Sequence, residues 1–229
     1  MTKPPQAQGA RPDIYAPIHR ALRLFMSATI ARLGSLDVSD GREVSAVLDQ
    51  LDALFGLCRE HALIENEIVH PLIEAAQPGT TQRVQDEHVQ HLRAIVALEA
   101  EAVALRVFPN ATQALRLYRH VALFVAQNFE HMHVEETAHN EVLWAGYDDA
   151  AIAEIEQRIV AQSTPQQRAL VLRWMTPALP PLERAQRFGS LRASLPRTAF
   201  VAMLDIAREV LDDRAWAKLS DALAEEVVA

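Results

Sequence analysis

Two copies of one spacing constrain this chain more than anything else in it: His61-Ala-Leu-Ile-Glu65 and His131-Met-His-Val-Glu135, seventy residues apart (61 to 131). On an α-helix, residues four apart lie about 40° from each other and one turn along, on a single face. An imidazole and a carboxylate placed that way converge on a common point. In the first copy an apolar stripe of Leu54, Leu57, Ile64 and Ile68 accompanies the pair. In the second the stripe is less regular, with Phe124 and Val134 but also Gln127 and Asn128. Both pairs are thereby turned toward a helical interior, where a charge is costly unless a metal or a partner compensates it. The histidines are also confined. All nine lie between His19 and His139, and residues 140–229 contain none.

With 229 residues the chain is long enough for one large domain or two small ones. Half of it is apolar, 23% is charged and the mean hydropathy is −0.02, the profile of a soluble globular protein. Only 7 glycines accompany abundant Ala, Leu, Glu, Gln and Arg, which favours helix over sheet. Residues 1–12 read as a flexible tail. Helix A is expected from Asp13 to Gly34, and helix B from about Arg42 to the Pro78-Gly79 breaker. Pro71 should kink helix B or end its regular part early, because its ring clashes with the Glu67 carbonyl. Helix C starts near Thr80, and helix D follows Pro109-Asn110 and runs to Gly146. Four helices of about 20–35 residues with short connections predict an all-α, up-down-up-down four-helix bundle over residues 13–146. Residues 147–229 predict a C-terminal helical extension of shorter helices, broken at Pro165, Pro180-Pro181 and Pro196. Thr164-Pro165-Gln166-Gln167 there has the form of a helix start. No catalytic motif falls in the extension.

Composition also excludes classes of partner. A net charge of −8 argues against nucleic acid or an anionic membrane, both of which need clustered Lys and Arg. No run approaches the roughly 18 apolar residues of a membrane span. The beginning MTKPPQAQGARP lacks the apolar stretch of a signal peptide, so the expected compartment is the cytoplasm. The single cysteine, Cys58, excludes an internal disulfide and a zinc site built from cysteines alone. Three residues before His61, it is read as a small buried residue, with a redox role as the alternative.

Helices A and C add single candidates. Helix A holds His19 and no acid between Ile14 and Leu33, and helix C holds Glu87-His88 followed by His91. The set is His19, His61, Glu65, His88, His131 and Glu135, with a ligand from every helix. Four imidazoles and two bridging carboxylates suit a dinuclear non-haem iron centre, though imidazole also suits zinc and copper. A ferritin-like carboxylate site is the competing arrangement. Glu67-x-x-His70, Glu130-x-x-His133 and Glu136-x-x-His139 fit its Glu-x-x-His element, but the missing acid on helix A counts against it. His70, nine residues after His61, falls about 180° round a regular helix and is expected outside the site. His133 fails in the same way, and His120 is three turns from His131. His91 is either a ligand or a neighbour of His88. His139 stands at the mouth of the site or simply near a helix end. Tyr15, four before His19, either supports that ring or packs.

On these residues, 13–145 resembles the hemerythrin-like family, also called the HHE cation-binding domain. The family pattern is a histidine on the first helix, His-x-x-x-Glu on the second, Glu-His on the third and His-x-x-x-Glu on the fourth. Here these are His19, His61 with Glu65, Glu87-His88, and His131 with Glu135. Glu136 and Leu143 fit the family's paired acid and the apolar end of its last motif. Two departures separate the chain from the oxygen-carrying members. Leu92 stands where they place a further histidine, and Glu136 where they place an aspartate, so the choice between Glu135 and Glu136 is open. The resemblance implies two iron ions, Fe2+ or Fe3+, with an oxo or hydroxo bridge as one option. It also implies an open coordination position for dioxygen, nitric oxide or peroxide.

The expected function is therefore binding or sensing of such a small ligand, or of iron itself. The alternative is a di-iron oxidoreductase acting on peroxide, nitric oxide or ferrous iron. It would need an external reductant, because the chain lacks nicotinamide, flavin and CxxC fingerprints. In a third version the extension reports iron status, through a protein partner or self-association.

Overall fold

The computed structural model describes residues 11–225, which are helical with short connections and no strand. Helix α1 spans Ala16–Gly34, α2 Gly41–Ile64, α3 His70–Ala76, α4 Gln82–Val107, α5 Ala111–Val134 and α6 Asn140–Gly146. Local chemistry sets their ends. Asp40 caps α2 by accepting from the Arg42 and Glu43 amides, and Asn110 caps α5 by accepting from Gln113. Between α3 and α4, the Glu74 carboxylate accepts from the Gly79 amide (2.7 Å), the Thr81 amide (2.8 Å) and the Thr81 hydroxyl (2.7 Å). Gly79 sits there at φ +87°, a left-handed conformation that side chains rarely adopt.

Expected helices B and D are each interrupted once. A π-helical turn over Glu65–Val69 joins α2 to α3, and another over Glu135–His139 joins α5 to α6. In the first, the regular helix ends before Pro71, as its missing N–H and its clash with the Glu67 carbonyl require. The second contains no proline, so a proline is not required to make such a turn. Both start on the glutamate of a His-x-x-x-Glu pair, and π turns inside helices often mark functional sites.

Helix α1 packs against α2 and α5, and α4 packs against the same two. The core between them includes Leu22, Phe25, Leu51, Phe55, Ile95, Leu117 and Phe124, all at most 2% exposed. Arg11 and Pro12, at the end of the expected tail, are held in place. Arg11 donates to the Trp144 and Tyr147 carbonyls and pairs with Asp149, and the Trp144 indole donates to the Pro12 carbonyl. The rest of that tail, residues 1–10, lies outside the described residues.

Beyond Gly146 come α7 (Asp149–Gln162), α8 (Pro165–Ala178), α9 (Pro181–Ser194), α10 (Arg197–Val210) and α11 (Asp213–Glu225). Their starts at 149, 165, 181, 197 and 213 fall sixteen residues apart, a helix and a two-residue connection each time. Leu179, Leu195 and Leu211 close three successive helices by donating their amides four residues back. Thr164 and Gln167 form a reciprocal capping box. The buried Arg184 guanidinium donates to the Thr176 and Leu179 carbonyls at the end of α8.

These helices build a core of their own around Leu172, Phe188, Ala207, Leu211, Leu219 and Leu223. They also cover the earlier ones. Helix α8 lies along α1, with the Trp174 and Phe25 rings stacked at 4.0 Å, and Arg20 of α1 pairs with Glu183 of α9. Helix α7 packs on the first π turn, and Ile155 joins Tyr15, Ile68, Val69, Ile73, Val142 and Leu143 in one apolar cluster. No described helix is long and apolar enough to cross a membrane.

Candidate metal centre

His19 comes from α1, His61 from α2, Glu65 from the first π turn, His88 from α4, His131 from α5 and Glu135 from the second π turn. All are buried except His61, which is partly so. Their ligand atoms fall into two groups, each with its members within 4.8 Å of one another: His19, His61, Glu65 and Glu135 in the first, Glu65, His88, His131 and Glu135 in the second. Either group could hold a metal ion.

The two carboxylates belong to both groups, and their oxygens divide between them. Glu65 Oε1 stands 3.2 Å from His61 Nε2, and Oε2 stands 3.4 Å from His88 Nε2. Glu135 Oε1 stands 3.3 Å from His131 Nε2, and Oε2 stands 3.4 Å from His19 Nε2. Each glutamate therefore spans from one histidine pair to the other, the disposition of a bridging ligand. The pairs are close within themselves, His19 and His61 Nε2 at 3.2 Å and His88 and His131 Nε2 at 3.0 Å.

The rings are aimed by what holds their other nitrogens. His19 Nδ1 donates to Glu136 (3.1 Å), His88 Nδ1 to the Asn66 side-chain oxygen (3.0 Å) and His131 Nδ1 to Glu87 (2.9 Å). Arg23 clamps Glu136, and Arg83 reaches Glu87 at 2.8 Å. With Nδ1–H committed outward, a neutral ring presents its Nε2 lone pair inward. Lone pairs then face carboxylate oxygens, and all four oxygens of Glu65 and Glu135 lack a hydrogen-bond partner among the described residues. A buried acceptor without a donor is costly, and a cation at the focus removes that cost.

Titration follows the same geometry. Burial, then the charge of neighbouring Glu135, pushes the Glu65 carboxyl well above its usual range. Burial acts upward on Glu135 too, but the nearby imidazoles of His131, His19 and His61 hold it below the usual range. Burial lowers His61 well below its ordinary value and takes His88 to about 3 and His91 to about 4. His131 is raised: burial acts downward on it, and Glu135 and Glu87 outweigh burial. Lowered rings stay neutral near pH 7, the form a metal needs.

Other sequence candidates separate clearly. Glu136 lies beside the cluster as the acceptor for His19, while Glu135 is inside it. His91 is buried beside His131 and Phe124, with ring centroids at 5.0 and 5.9 Å, but belongs to neither ligand group. His120 is exposed and pairs with Glu101, and His133 is exposed. His70 differs from the expectation for a regular helix. It is 1% exposed, stacks on His88 at 5.4 Å, and shares a ligand group with Glu135 and His139. The π turn is the reason: the His70 amide bonds the Glu65 carbonyl five residues back, which winds in one extra residue and turns His70 to the Glu65 side. The sequence also gave no sign of Asn66 or Arg23, since an orienting hydrogen bond between helices has no spacing to reveal it. Cys58 is buried with its thiol pushed up to about 12 by burial, which disfavours the reactive thiolate.

Two cavities adjoin the cluster. A small one of about 20 Å³, room for one water, is bounded by His61, His88, His91, His131, Cys58, Leu22 and other residues. A larger one of about 600 Å³ lies between the early helices and α7–α10, and has His61, Glu65 and Tyr15 in its wall. Comparison with family models, with curated proteins and with solved structures gave no match to this chain.

Proposed function

We propose that residues 13–146 form a hemerythrin-like four-helix bundle around a dinuclear non-haem iron centre, and that the protein binds or senses a small ligand there. The observation that carries this is the division of the Glu65 and Glu135 oxygens between two histidine pairs. In this assignment His19 and His61 hold one ion, His88 and His131 the other, and the two glutamates bridge. An iron pair, when bound, supplies reversible one-electron chemistry and a coordination position for dioxygen, nitric oxide or peroxide.

The chain's own residues do the rest. Glu136, Asn66 and Glu87 fix three of the rings through Nδ1, so each Nε2 points inward without further reorganisation. Leu22, Ile95, Met132 and the protonated Cys58 line the small cavity with apolar surface, and its volume suits a ligand about the size of a water molecule. Among ligand-capable imidazoles, His91 borders that cavity without joining either group.

Elemental analysis after anaerobic reconstitution tests the assignment, with the aerobic absorption spectrum as a second readout. At least two irons per chain are expected, with the near-ultraviolet charge transfer of a ferric pair; less than about one iron sinks the idea. Glu65→Gln and Glu135→Gln should each abolish uptake of the pair. A stable adduct with nitric oxide or dioxygen supports binding. Sustained turnover of peroxide or nitric oxide with an external reductant would make the protein an oxidoreductase instead.

A further inference from the structure

A third ligand group lies beside the two assigned above and joins Glu135 to two histidines that the dinuclear centre does not use. His70, Glu135 and His139 each offer an atom within 4.8 Å of the other two. None is more than 1% exposed. Both ring nitrogens of His70 and Nε2 of His139 have no hydrogen-bond partner among the described residues. The two imidazoles meet edge to face, with centroids 5.4 Å apart at 85°. Two buried rings with three idle nitrogens beside an unpartnered carboxylate call for an occupant.

Among the described residues nothing pairs with either nitrogen of His70, so packing alone does not explain the arrangement. His139 Nδ1 lies 3.4 Å from the Tyr15 hydroxyl. The Thr80 backbone carbonyl also accepts from this ring, so one N–H of His139 is committed and its other nitrogen is left as a lone pair. His70 follows Glu65 by five residues and owes its placement to the π turn. His139 follows Glu135 by four, one turn along the same face. Two imidazoles and one carboxylate, with other positions left to water, are the donor set of mononuclear ferrous sites. A carboxylate has about four lone-pair directions, so Glu135 can serve this ion as well as the pair.

We propose that His70, Glu135 and His139 form a third metal position, for Fe2+ or a similar first-row divalent ion, next to the dinuclear centre. It rests on the dinuclear assignment only through the shared Glu135. With two carboxylates set against three divalent ions, the third ion is the weakest bound, filled last and lost first.

The test is anaerobic titration of the metal-free full-length chain with Fe2+, followed by elemental analysis, and the same titration with Co2+ read by absorption. The variants are His70→Gln and His139→Gln, singly and together, with His61→Gln for comparison and circular dichroism to select folded proteins. The wild type should take up three equivalents, the last more weakly, and the first two variants two equivalents. Saturation of the wild type at two overturns the third position, whether or not the variants fold, and leaves the pair standing. An equivalent lost in His139→Gln and kept in His61→Gln, with no further uptake by the wild type, overturns the pair and leaves this position standing.

Discussion

The six proposed ligands depend on residues that touch no metal themselves. Glu136 and Glu87 each accept from a histidine Nδ1 and are each held in turn by an arginine, Arg23 or Arg83. Partners of this kind typically contribute a factor of about 10–100 in metal affinity. Glu136→Gln and Glu87→Gln should therefore weaken binding of the pair by roughly tenfold or more, in chelator competition, with helix content unchanged. Unchanged affinity in both would mean that the rings are aimed by packing alone. A second expectation concerns pH. Burial takes His88 to about 3 and His70 and His91 to about 4, from an ordinary 6.5, in the metal-free protein. The unfolded chain takes up protons at these positions as pH falls below 6.5, and the folded chain does so only near 4 and below. The raised His131 and Glu65 work in the opposite sense, since their folded forms hold protons more tightly than the unfolded chain. The lowered histidines outnumber them, so the thermal midpoint of the metal-free protein should fall between pH 6.5 and about 4. A midpoint flat across that window would contradict the neutral, buried state of these rings.

At the scale of the element, the long helices B and D were legible because their apolar positions recur at helical spacing and Pro78-Gly79 and Pro109-Asn110 punctuate the chain. His61 with Glu65 and His131 with Glu135 were legible for the same reason: each pair spans the last regular turn before a π turn begins. Past that point the 100° rule fails. His70 was placed on the wrong side by counting regular turns, and nothing in residues 135–139 signals the second wide turn. The helices after Gly146 were legible as short segments broken at Pro165, Pro180-Pro181 and Pro196, but not as a series with a sixteen-residue step, because their sequences differ and only the connections recur. One contact between elements carries a separate expectation. Phe25, 1% exposed, stacks on Trp174 where α1 meets α8. Phe25→Ala should cost about 3–5 kcal/mol in denaturant unfolding, since it opens a cavity at that seam. A cost under about 1 kcal/mol would show that α8 is only loosely docked.

Across the whole molecule, the histidine-free C-terminal helices turn out to be a covering layer. Helix α7 closes over the Glu65–Val69 turn, and α8 covers α1, so the face that carries Tyr15, Ala21 and Phe25 is shielded from water by residues after 146. Ending the chain after Gly146 should lower the thermal midpoint and raise binding of an apolar dye. A shortened chain with unchanged midpoint and no added dye binding would show that the layer adds nothing to the early helices. Spacing and periodicity along the chain determined the helical class, the two His-x-x-x-Glu pairs and the segment where the histidines end, because an α-helix turns local spacing directly into a shared face. Tertiary structure alone decided the rest. It set Glu135 inside the cluster and Glu136 beside it, left His91 at the cavity wall, and brought His70 and His139 together. Those outcomes depend on how helices far apart in sequence are rotated against one another, and on two wide turns that shift the phase of that rotation.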